Sequence, residues 1–302
     1  MGTPLRPDLA IIGGTGLYDL LTAGHVHAVN IETPYGPPSD TIYIGALRGL
    51  PVAFLARHGR GHRLLPSEVP YRANIWALKS LGIRQIVSIS ACGSMKEQYA
   101  PGDFVIPDQL FDRTQGRPGT FFGDGLVAHV SFAEPFCRRL SSRLCQATRA
   151  AGGTVHQGGT YLIIEGPRFS SRGESRIYRQ WGVDIIGMTA VPEAQLAREA
   201  EMCYALLAHV TDYDCWREME EAVSVEMVMQ TLRRNSEMAR VTLSHLAETL
   251  QQDAAVEIST NCSCSSALQH AFLTSLGMVP PVTKERLGPI IGKYLPASPT
   301  PP

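Results

Sequence analysis

The sequence predicts an α/β fold in which a mixed central β-sheet carries helices on both faces. Short apolar runs alternate with helical patterns along most of the chain, an order typical of strands covered by helices. Two neighbouring β-rich segments predict a hairpin, which argues against an all-parallel sheet. The 302 residues are 44% hydrophobic and 18% charged. This composition suffices for a large core and excludes disordered and fibrous classes.

The strands are predicted where apolar runs stop at turn residues. The run Leu9 to Ile12 enters a glycine turn over residues 13–16 and predicts the first strand. The β-rich segments 41–45 and 51–56, separated by a turn that contains Gly49, predict the hairpin. Further strands are predicted over residues 85–91, 160–164, 183–188 and 205–210.

The helices are predicted from apolar residues at helical spacing. Ile75, Leu78 and Leu81 share one face of a helix over residues 71–81. Similar patterns predict helices over residues 133–151, 171–181, 192–202 and 224–250. Because the sequence shows no linker and no internal repeat, residues 1–276 are predicted to form one domain. The proline-rich residues 277–302 are expected to form a flexible extension.

The charge balance excludes several classes of partner. The 27 basic and 28 acidic residues give a net charge of -1 without runs of like charge, so no nucleic acid is expected to bind. Uncharged stretches are shorter than the roughly 18 residues of a spanning helix, so no membrane partner is expected. The N-terminus shows no secretion or myristoylation signal, and the expected location is the cytoplasm.

The seven cysteines are an odd, scattered set that favours a reducing compartment. Only Cys262 and Cys264 are close enough in sequence to suggest chemistry. They could be a redox-active pair, half of a metal site, or the ends of longer disulfides. A metal site normally needs a second pair, which the sequence does not show nearby. Two reduced thiols beside a helix start are the favoured interpretation, and no metal is expected.

Four predicted strand ends offer groups that bind a small anion. Ligands of open α/β sheets collect at the carboxyl ends of strands, where turns leave backbone N–H groups unpaired. Arg57 and His58 lie in a basic, glycine-jointed loop that suits an oxyanion. The other ends supply hydroxyl or N–H donors from Thr15, Ser90, Ala91 and Thr189. Each segment alone also fits a plain structural turn, but together they predict one site for free phosphate.

Known nucleotide loops do not explain these strand ends. Asp19 stands where the third glycine of a dinucleotide fingerprint would be, and no glycine loop ends in Lys-Ser or Lys-Thr. Dinucleotide binding and nucleoside triphosphate hydrolysis are therefore disfavoured.

Two carboxyls predict the recognition of a purine base. Asp212 and Asp214 follow the strand 205–210 and, being two apart, point to the same side of an extended chain. A protonated carboxyl donates to a ring nitrogen, and an ionised carboxyl accepts from an exocyclic amine, which matches N7 and N6 of a 6-aminopurine. An exposed turn and a divalent-cation site are the alternatives.

The ordered motifs resemble the trimeric purine nucleoside phosphorylase family, in particular its 5'-methylthioadenosine phosphorylases. The motifs that carry the resemblance are residues 11–16 (IIGGTG), 57–60 (RHGR), 74–78 (NIWAL), 91–94 (ACGS), 165–171 (EGPRFSS), 188–193 (MTAVPE) and 211–214 (TDYD). The segment with Cys262 and Cys264 also resembles that of relatives in which such cysteines can form disulfides.

The resemblance implies a partly barrel-like sheet, as in other nucleoside phosphorylases, and a homotrimer or a dimer of trimers. It implies reversible phosphorolysis of S-methyl-5'-thioadenosine, with Asp212 as the catalytic residue, inorganic phosphate as co-substrate and no cofactor. The phosphate site would be formed by Thr15, Arg57, His58, Ser90, Ala91 and Thr189. The nucleoside would be bound by Met188, Asp212, Tyr213, Asp214, Phe169 and a neighbouring subunit's copy of His129, with specificity from Ser170, Val225 and Met229. Another purine nucleoside phosphorylase, such as one for 5'-methylthioinosine, is the alternative.

Overall fold

The computed structural model of the protein describes residues 6–14, 17, 20–21, 26–217, 225–254 and 262–296. Within these residues, eleven strands form one mixed sheet. The strands are β1 (Leu9–Gly13), β2 (His27–Val29), β3 (Ile42–Leu47), β4 (Leu50–Ala56), β5 (Gln85–Ser94), β6 (Phe104–Ile106), β7 (Gln109–Arg113), β8 (Val155–Gln157), β9 (Thr160–Ile164), β10 (Ile185–Gly187) and β11 (Cys203–Asp212). The main path runs β2-β3-β4-β1-β5-β10-β9-β7, β11 pairs with β5 and β6, and β6 pairs with β8.

Helices cover both faces of this sheet. They are α1 (Tyr71–Ser80), α2 (Arg138–Ala150), α3 (Arg172–Gln180), α4 (Ala190–Glu199), α5 (Val225–Ala254), α6 (Pro281–Arg286) and α7 (Gly288–Ile291). Ala10 and Ile12 of β1 join one core with α1 and α4. Leu9 and Ile11, which point the other way, join a second core with α2 and α5. The predicted α/β class with helices on both faces is confirmed.

The elements with a clear sequence pattern agree with their predictions. The hairpin is the antiparallel pair β3 and β4, the helix predicted over residues 71–81 is α1, and the strand predicted over residues 85–91 is the longer β5. The sequence does not reveal β2, β6, β7 and β8, which have three to five residues each. Their strand conformation depends on pairing with neighbouring strands rather than on a hydrophobic period.

Strand β5 positions the carboxyl ends of the parallel strands. Residues 85–88 of β5 pair in parallel with β1, and residues 85–93 pair in parallel with β11. Because β1 also runs parallel to β4, the carboxyl ends of four strands meet at one edge. Beyond the end of β1, residues 93–94 of β5 pair antiparallel with β10. The sheet therefore branches at β5, where β10 and β11 take separate paths.

The C-terminal residues differ from their prediction. Residues 277–296 contain α6 and α7, and Leu287, Ile290 and Ile291 are buried against α1 and its surroundings. The Trp76 indole N–H donates to the Arg286 carbonyl at 2.9 Å. The prediction of a flexible extension is wrong for this segment, because its prolines stand at the first turns of helices, where proline is favoured. Residues 297–302 lie outside the described residues.

None of the helices in the described part of the chain combines the length and the apolar composition needed to cross a bilayer.

The packing of the C-terminal segment predicts a stability difference between two of its residues. Ile290 is 2% exposed, whereas Val282 is 72% exposed. We expect Ile290→Ala to lower the free energy of unfolding by about 2–5 kcal/mol, because it leaves a cavity in the core. Val282→Ala should change it by less than about 0.5 kcal/mol. Chemical denaturation measures both values, and equal losses would contradict the observed packing.

Candidate active site

A cavity of about 360 Å³ lies at the edge where the parallel strands end. Its wall is built from the loop after β4, the second half of β5, the segments after β9 and β10, the end of β11 and the first turns of α5. Ligands of α/β sheets bind at this edge, because strand ends leave polar backbone groups available. This cavity is the candidate active site.

The structure brings most of the predicted phosphate-binding residues to this wall. Of the predicted phosphate-binding residues, five line the cavity, namely Arg57, His58, Ser90, Ala91 and Thr189. The Ser90 and Thr189 hydroxyl oxygens, which come from β5 and the segment after β10, are 3.0 Å apart. Two hydroxyls from different elements therefore meet at one point of the wall. Thr15 lies outside the described residues.

Arg57 is held by a buried carboxylate. It is 1% exposed, and its Nε and Nη2 donate to Glu193 of α4 at 2.9 and 3.2 Å. Glu193 also accepts from the Ser88 hydroxyl at 2.6 Å and from the Tyr204 hydroxyl at 2.8 Å. Burial opposes the charge on Arg57, but the Glu193 carboxylate outweighs it and raises the pKa of the guanidinium. Arg57 is therefore a fixed, permanent positive charge in the cavity wall.

Most donors of the Arg57 guanidinium serve this internal network. Nη1 donates to the Ile89 carbonyl at 2.9 Å, and Nη2 donates to the Ser88 hydroxyl at 2.5 Å. Of the five guanidinium N–H groups, one on Nη1 lacks an acceptor among the described residues. Arg57 can thus offer an anion one hydrogen bond and its charge, rather than a two-pronged fork.

His58 is neutral near pH 7. Burial, followed by the nearby Arg57 charge, lowers its pKa to about 4. Its Nδ1 lies 2.9 Å from the Leu64 carbonyl, so the hydrogen-bonding pattern assigns the ring proton to Nδ1. Nε2 of this tautomer is an acceptor. It suits the hydroxyl of a hydrogen phosphate better than a bare phosphate oxygen.

The loop that carries Met188 is held by a buried arginine. Arg117 Nη1 donates to the carbonyls of Met188 and Val191 at 2.7 and 2.9 Å. Its Nη2 donates to the Glu165 carbonyl at 2.7 Å, and its Nε forms an ion pair with the Glu165 carboxylate. One side chain therefore fixes two of the segments that line the cavity, one after β9 and one after β10.

The two predicted purine-binding carboxyls line the same cavity. Asp212 Oδ1 accepts from the Asp214 backbone N–H at 2.8 Å, and Oδ2 accepts from the Thr211 hydroxyl at 2.7 Å. These bonds stabilise the ionised form of Asp212. Burial raises the pKa of Asp214, against the opposing hydrogen bonds of nearby hydroxyls. Burial therefore makes Asp214 easier to protonate than an exposed aspartate.

Gly93 leaves room for this carboxyl pair. A Cβ atom at Gly93 would lie 2.9 Å from Asp212 Oδ1 and 3.1 Å from Ile186 Cγ2. A larger residue would have to displace the Asp212 carboxylate. The glycine in the ACGS motif therefore sets how closely β5 and β11 approach around the acid.

The apolar part of the cavity contains the remaining predicted contacts. The predicted residues found on its wall are Phe169, Ser170, Met188, Val225 and Met229. Val228 and Leu232, which the sequence did not single out, also line the cavity. They follow Val225 at helical spacing on α5, so the same face of one helix supplies these apolar side chains.

Two predicted contacts lie elsewhere. Tyr213 is not on the cavity wall, and its ring packs with Trp216 in a separate apolar cluster. The strand β11 ends at Asp212, and Asp214 lies in a turn with a φ of +50°. The expected extended chain is therefore not formed here, and the turn brings Asp214 to the cavity while Tyr213 packs against Trp216. His129 is exposed at the surface, outside the chain's own cavity.

The sequence missed the residues that hold the site from behind. Glu193 offered a signal, because a carboxylate between apolar residues at the start of α4 is unusual unless it is paired. Arg117 offered no such signal, since it lies in a loop between a glycine and a proline. Ser88 sits inside the apolar run of β5, and its partners come from distant parts of the chain.

Comparisons with known proteins agree with this geometry. A model of the phosphorylase superfamily matches residues 8–248. The S-methyl-5'-thioadenosine phosphorylase of Geobacter sulfurreducens is 49% identical over 288 residues, which cover 95% of this chain and 99% of that protein. The chain belongs to the phosphorylase superfamily, in the methylthioadenosine phosphorylase family. The crystal structure of a methylthioadenosine phosphorylase from an antarctic soil metagenomic library matches with a TM-score of 0.89 and 49% identity, covering 97% of this chain and 100% of that one.

A further structural relative of this family carries a ligand. A variant of the adenosine/methylthioadenosine phosphorylase of Schistosoma mansoni, in complex with methylthioadenosine, matches with a TM-score of 0.80 and 40% identity. The match covers 87% of this chain and 99% of that one. The superfamily match at residues 8–248 includes the cavity-lining residues of this family member, but it ends before Cys262.

The Arg57 network predicts a large loss of stability when its carboxylate is removed. Glu193→Gln keeps the shape but leaves Arg57 as an uncompensated buried charge, so we expect about 3–5 kcal/mol less unfolding free energy. The matched control is Glu97→Gln, whose ion pair with Arg217 is exposed and contributes at most about 1 kcal/mol. Chemical denaturation compares the two variants. A Glu193 variant no less stable than the control would refute the role of this pair.

The buried His209 predicts a pH dependence of stability. Burial lowers its pKa to about 3 from 6.5, and its ring nitrogens have no partner among the described residues. The unfolded chain therefore binds the proton of His209 more readily than the folded protein does. The neutral, buried His209 contributes fully to stability above pH 6.5, and this contribution is lost as the pH falls towards 3. Between pH 7 and pH 5 we expect the contribution of His209 to the unfolding free energy to fall by about 2 kcal/mol. His209→Leu should abolish this change.

The same substitution at the exposed His270 is the control for this prediction, and it should leave the wild-type pH dependence intact. Unfolding free energies at the two pH values provide the measurement. Burial raises the pKa of Glu199 to about 7, so Glu199 stabilises the fold as the pH falls and opposes the effect of His209. The pH dependence of each variant is therefore compared with that of the wild type. An unchanged slope in His209→Leu would contradict the prediction.

Proposed function

We propose that this protein catalyses the reversible phosphorolysis of S-methyl-5'-thioadenosine to adenine and 5-methylthioribose 1-phosphate. The observation that carries this proposal is one cavity that joins anion-binding groups from several strand ends to a buried pair of carboxyls. The names of the family relatives support the substrate. An apolar helix face on the same cavity supports the methylthio group.

At the phosphate end, the residues orient the attacking oxygen. Arg57 contributes a fixed charge, and the Ser90 and Thr189 hydroxyls donate to phosphate oxygens. Neutral His58 accepts from the hydroxyl of hydrogen phosphate through Nε2, which leaves an unprotonated oxygen to face C1' of the ribose. Holding the reactants in this way converts an encounter in solution into a reaction between neighbours, which contributes several kcal/mol in comparable systems. Thr15 belongs to this proposed phosphate site, together with the Ala91 backbone.

At the purine end, the carboxyl pair neutralises the leaving group. As the C1'–N9 bond breaks, its electron pair flows into the purine, and a proton from the pair is transferred to N7. We assign Asp212 to N7 and Asp214 to the N6 amine. Burial raises the pKa of Asp214. The N6 amine needs an acceptor, so its approach would favour the ionised form of Asp214 and leave the proton of the pair on Asp212.

The reaction balances with these groups alone. The C1'–N9 bond breaks and a C1'–O bond to phosphate forms. The proton given to N7 leaves with adenine, and the proton of hydrogen phosphate replaces it on the carboxyl pair. The ribosyl centre carries positive charge during this exchange, so the nearby phosphate dianion stabilises it. No cofactor or metal takes part in the proposed steps.

The remaining contacts select the substrate. Phe169 and Ser170 lie beside the base, and Met188 packs against the ribose. Val225 and Met229 surround the methylthio group, with Val228 and Leu232 on the same helix face. An apolar pocket of this kind prefers a methylthio over a hydroxyl group by roughly 10–200-fold. Some activity on adenosine is therefore expected.

The proposal includes a homotrimer or a dimer of trimers in the cytoplasm. His129 lies at the surface beside two exposed apolar side chains, Val127 at 49% and Leu273 at 71%. Val127 and Leu273 are joined by a backbone hydrogen bond of 2.9 Å. An exposed apolar patch beside a histidine supports a subunit interface through which His129 reaches the cavity of a neighbour.

A phosphate-dependent assay tests the proposed reaction. Adenine release from methylthioadenosine should require phosphate, and the kcat/KM should exceed that for adenosine and for 5'-methylthioinosine. Release of adenine without phosphate would indicate a hydrolase. A preference for the methylthioinosine would favour the alternative assignment as a 6-oxopurine phosphorylase.

The carboxyl pair predicts two different kinetic effects. Asp212→Asn should lower kcat on methylthioadenosine by about 10²–10⁴-fold, because the proton donor to N7 is lost. Asp214→Asn should shift the preference towards 6-oxopurines, because an amide can donate to O6. The exposed Asp112 provides the control, and Asp112→Asn should behave as the wild type. Steady-state kinetics on both substrates decide, and equal effects of the two active-site variants would overturn the division of roles.

A further inference from the structure

Four cysteines from three parts of the chain converge at one point. Cys137 precedes α2, Cys203 begins β11, and Cys262 and Cys264 belong to the turn around the 3₁₀ helix Ser263–Ser266. Their sulfur atoms all lie within 4.8 Å of one another. Cys137, Cys203 and Cys264 are buried, and Cys262 is partly buried. None of the four lines the active-site cavity.

The spacing of the sulfur atoms matches a tetrahedral metal site. Cys262 Sγ lies 3.6 Å from Cys137 Sγ and 3.5 Å from Cys203 Sγ. Four thiolates bound to zinc at about 2.3 Å have tetrahedral edges of about 3.8 Å. The two Cys262 separations lie slightly below that value, and no pair of the four sulfurs is more than 4.8 Å apart. An ion at the centre of the cluster therefore requires only small adjustments of the side chains.

We propose that Cys137, Cys203, Cys262 and Cys264 form a structural binding site for one soft divalent metal ion, zinc foremost. Tetrahedral sites of four thiolates are typical of zinc and iron. With four protein ligands no position stays open for water or substrate, which makes the site structural rather than catalytic. The sequence contains only one close pair of cysteines, and the fold supplies the second pair through space.

The arrangement favours one shared ion over two separate disulfides. In two disulfides, each sulfur would approach one partner. Here Cys262 Sγ is equally close to Cys137 and Cys203, and Cys264 Sγ belongs to the same group. Convergence of four sulfurs on a common centre is the geometry of a coordination site.

The surroundings also suit an anionic cluster. Zinc with four thiolates carries two net negative charges, which need compensation in a partly buried position. The Arg198 guanidinium donates from Nη1 to Cys264 Sγ at 3.6 Å. It also donates to the Glu134 carbonyl next to the start of α2. Such hydrogen bonds to ligating sulfur are the contacts that orient and stabilise metal ligands.

The ion would attach the last described segment to the domain. Cys262 and Cys264 begin this segment, and the Ala271 carbonyl within it accepts from the His129 backbone N–H at 2.8 Å. Phe272 forms a β-bridge with Ala128. Coordination at the cysteines would therefore fix the surface segment that carries His129, at a distance from the cavity itself.

Metal analysis of the full-length protein tests the proposal. The protein is produced with zinc and purified under a non-thiol reductant, and we expect about one zinc per chain by elemental mass spectrometry. Cys262→Ser should lose most of this zinc. Cys145→Ser, which changes a buried cysteine of α2 outside the cluster, should retain it. Chelation should lower the melting temperature of the wild type, and added zinc should restore it.

A second measurement does not depend on a folded variant. Wild-type protein reconstituted with Co²⁺ alone should show the sulfur-to-metal charge-transfer bands and visible ligand-field bands of a tetrahedral tetrathiolate. A reduced wild-type protein that binds neither zinc nor Co²⁺ would overturn the proposal. So would an intact mass, measured after alkylation without reductant, that reveals two disulfides among the four cysteines of protein freshly purified without reductant.

Discussion

The buried ion pair between Arg57 and Glu193 is the constraint on which the rest of the structure depends. A buried charge in the wall of a cavity is useful for binding an anion, yet it is unstable without a partner in the protein. Glu193 supplies that partner and also accepts from hydroxyls on β5 and β11. One carboxylate thus joins the loop after β4, two strands of the sheet and α4. The position of the proposed phosphate site and the packing of α4 on the sheet are consequences of the same set of hydrogen bonds.

Much of the fold and of the site follows from the sequence because the relevant signals are local. The apolar run before the glycine turn and the helical spacing of Ile75 and Leu78 reflect which face of each element is buried. Arg57, Ser90, Thr189, Asp212 and Asp214 were found because polar residues directly follow or interrupt apolar strands. Carboxyl ends of parallel strands meet at one edge in any sheet of this class, so their convergence needed no knowledge of the full topology.

The features that the sequence did not reveal depend on partners that are distant along the chain. Glu193 stands out as a carboxylate between apolar residues, but its partners Arg57, Ser88 and Tyr204 are distant along the chain. Cys137 and Cys203 have no local relation to Cys262, and only the docking of α2 against β11 brings them together. Tyr213 lies between Asp212 and Asp214 in the sequence, but its ring packs with Trp216 outside the cavity. Composition alone predicts a flexible proline-rich end. The few apolar residues between its prolines are nevertheless enough to pack it against the domain.

The cavity wall consists of two kinds of structure with different mechanical character. The groups proposed to surround the reacting bond come from strands and their immediate ends, where the sheet pairing on both sides of β5 fixes the backbone. The groups proposed to surround the 5' substituent come from one face at the start of α5, where Val225 is 68% exposed. Substitutions on that helix face can reshape the pocket without touching a sheet hydrogen bond. Selectivity for the 5' group and competence in the bond-breaking step can therefore evolve separately in this architecture.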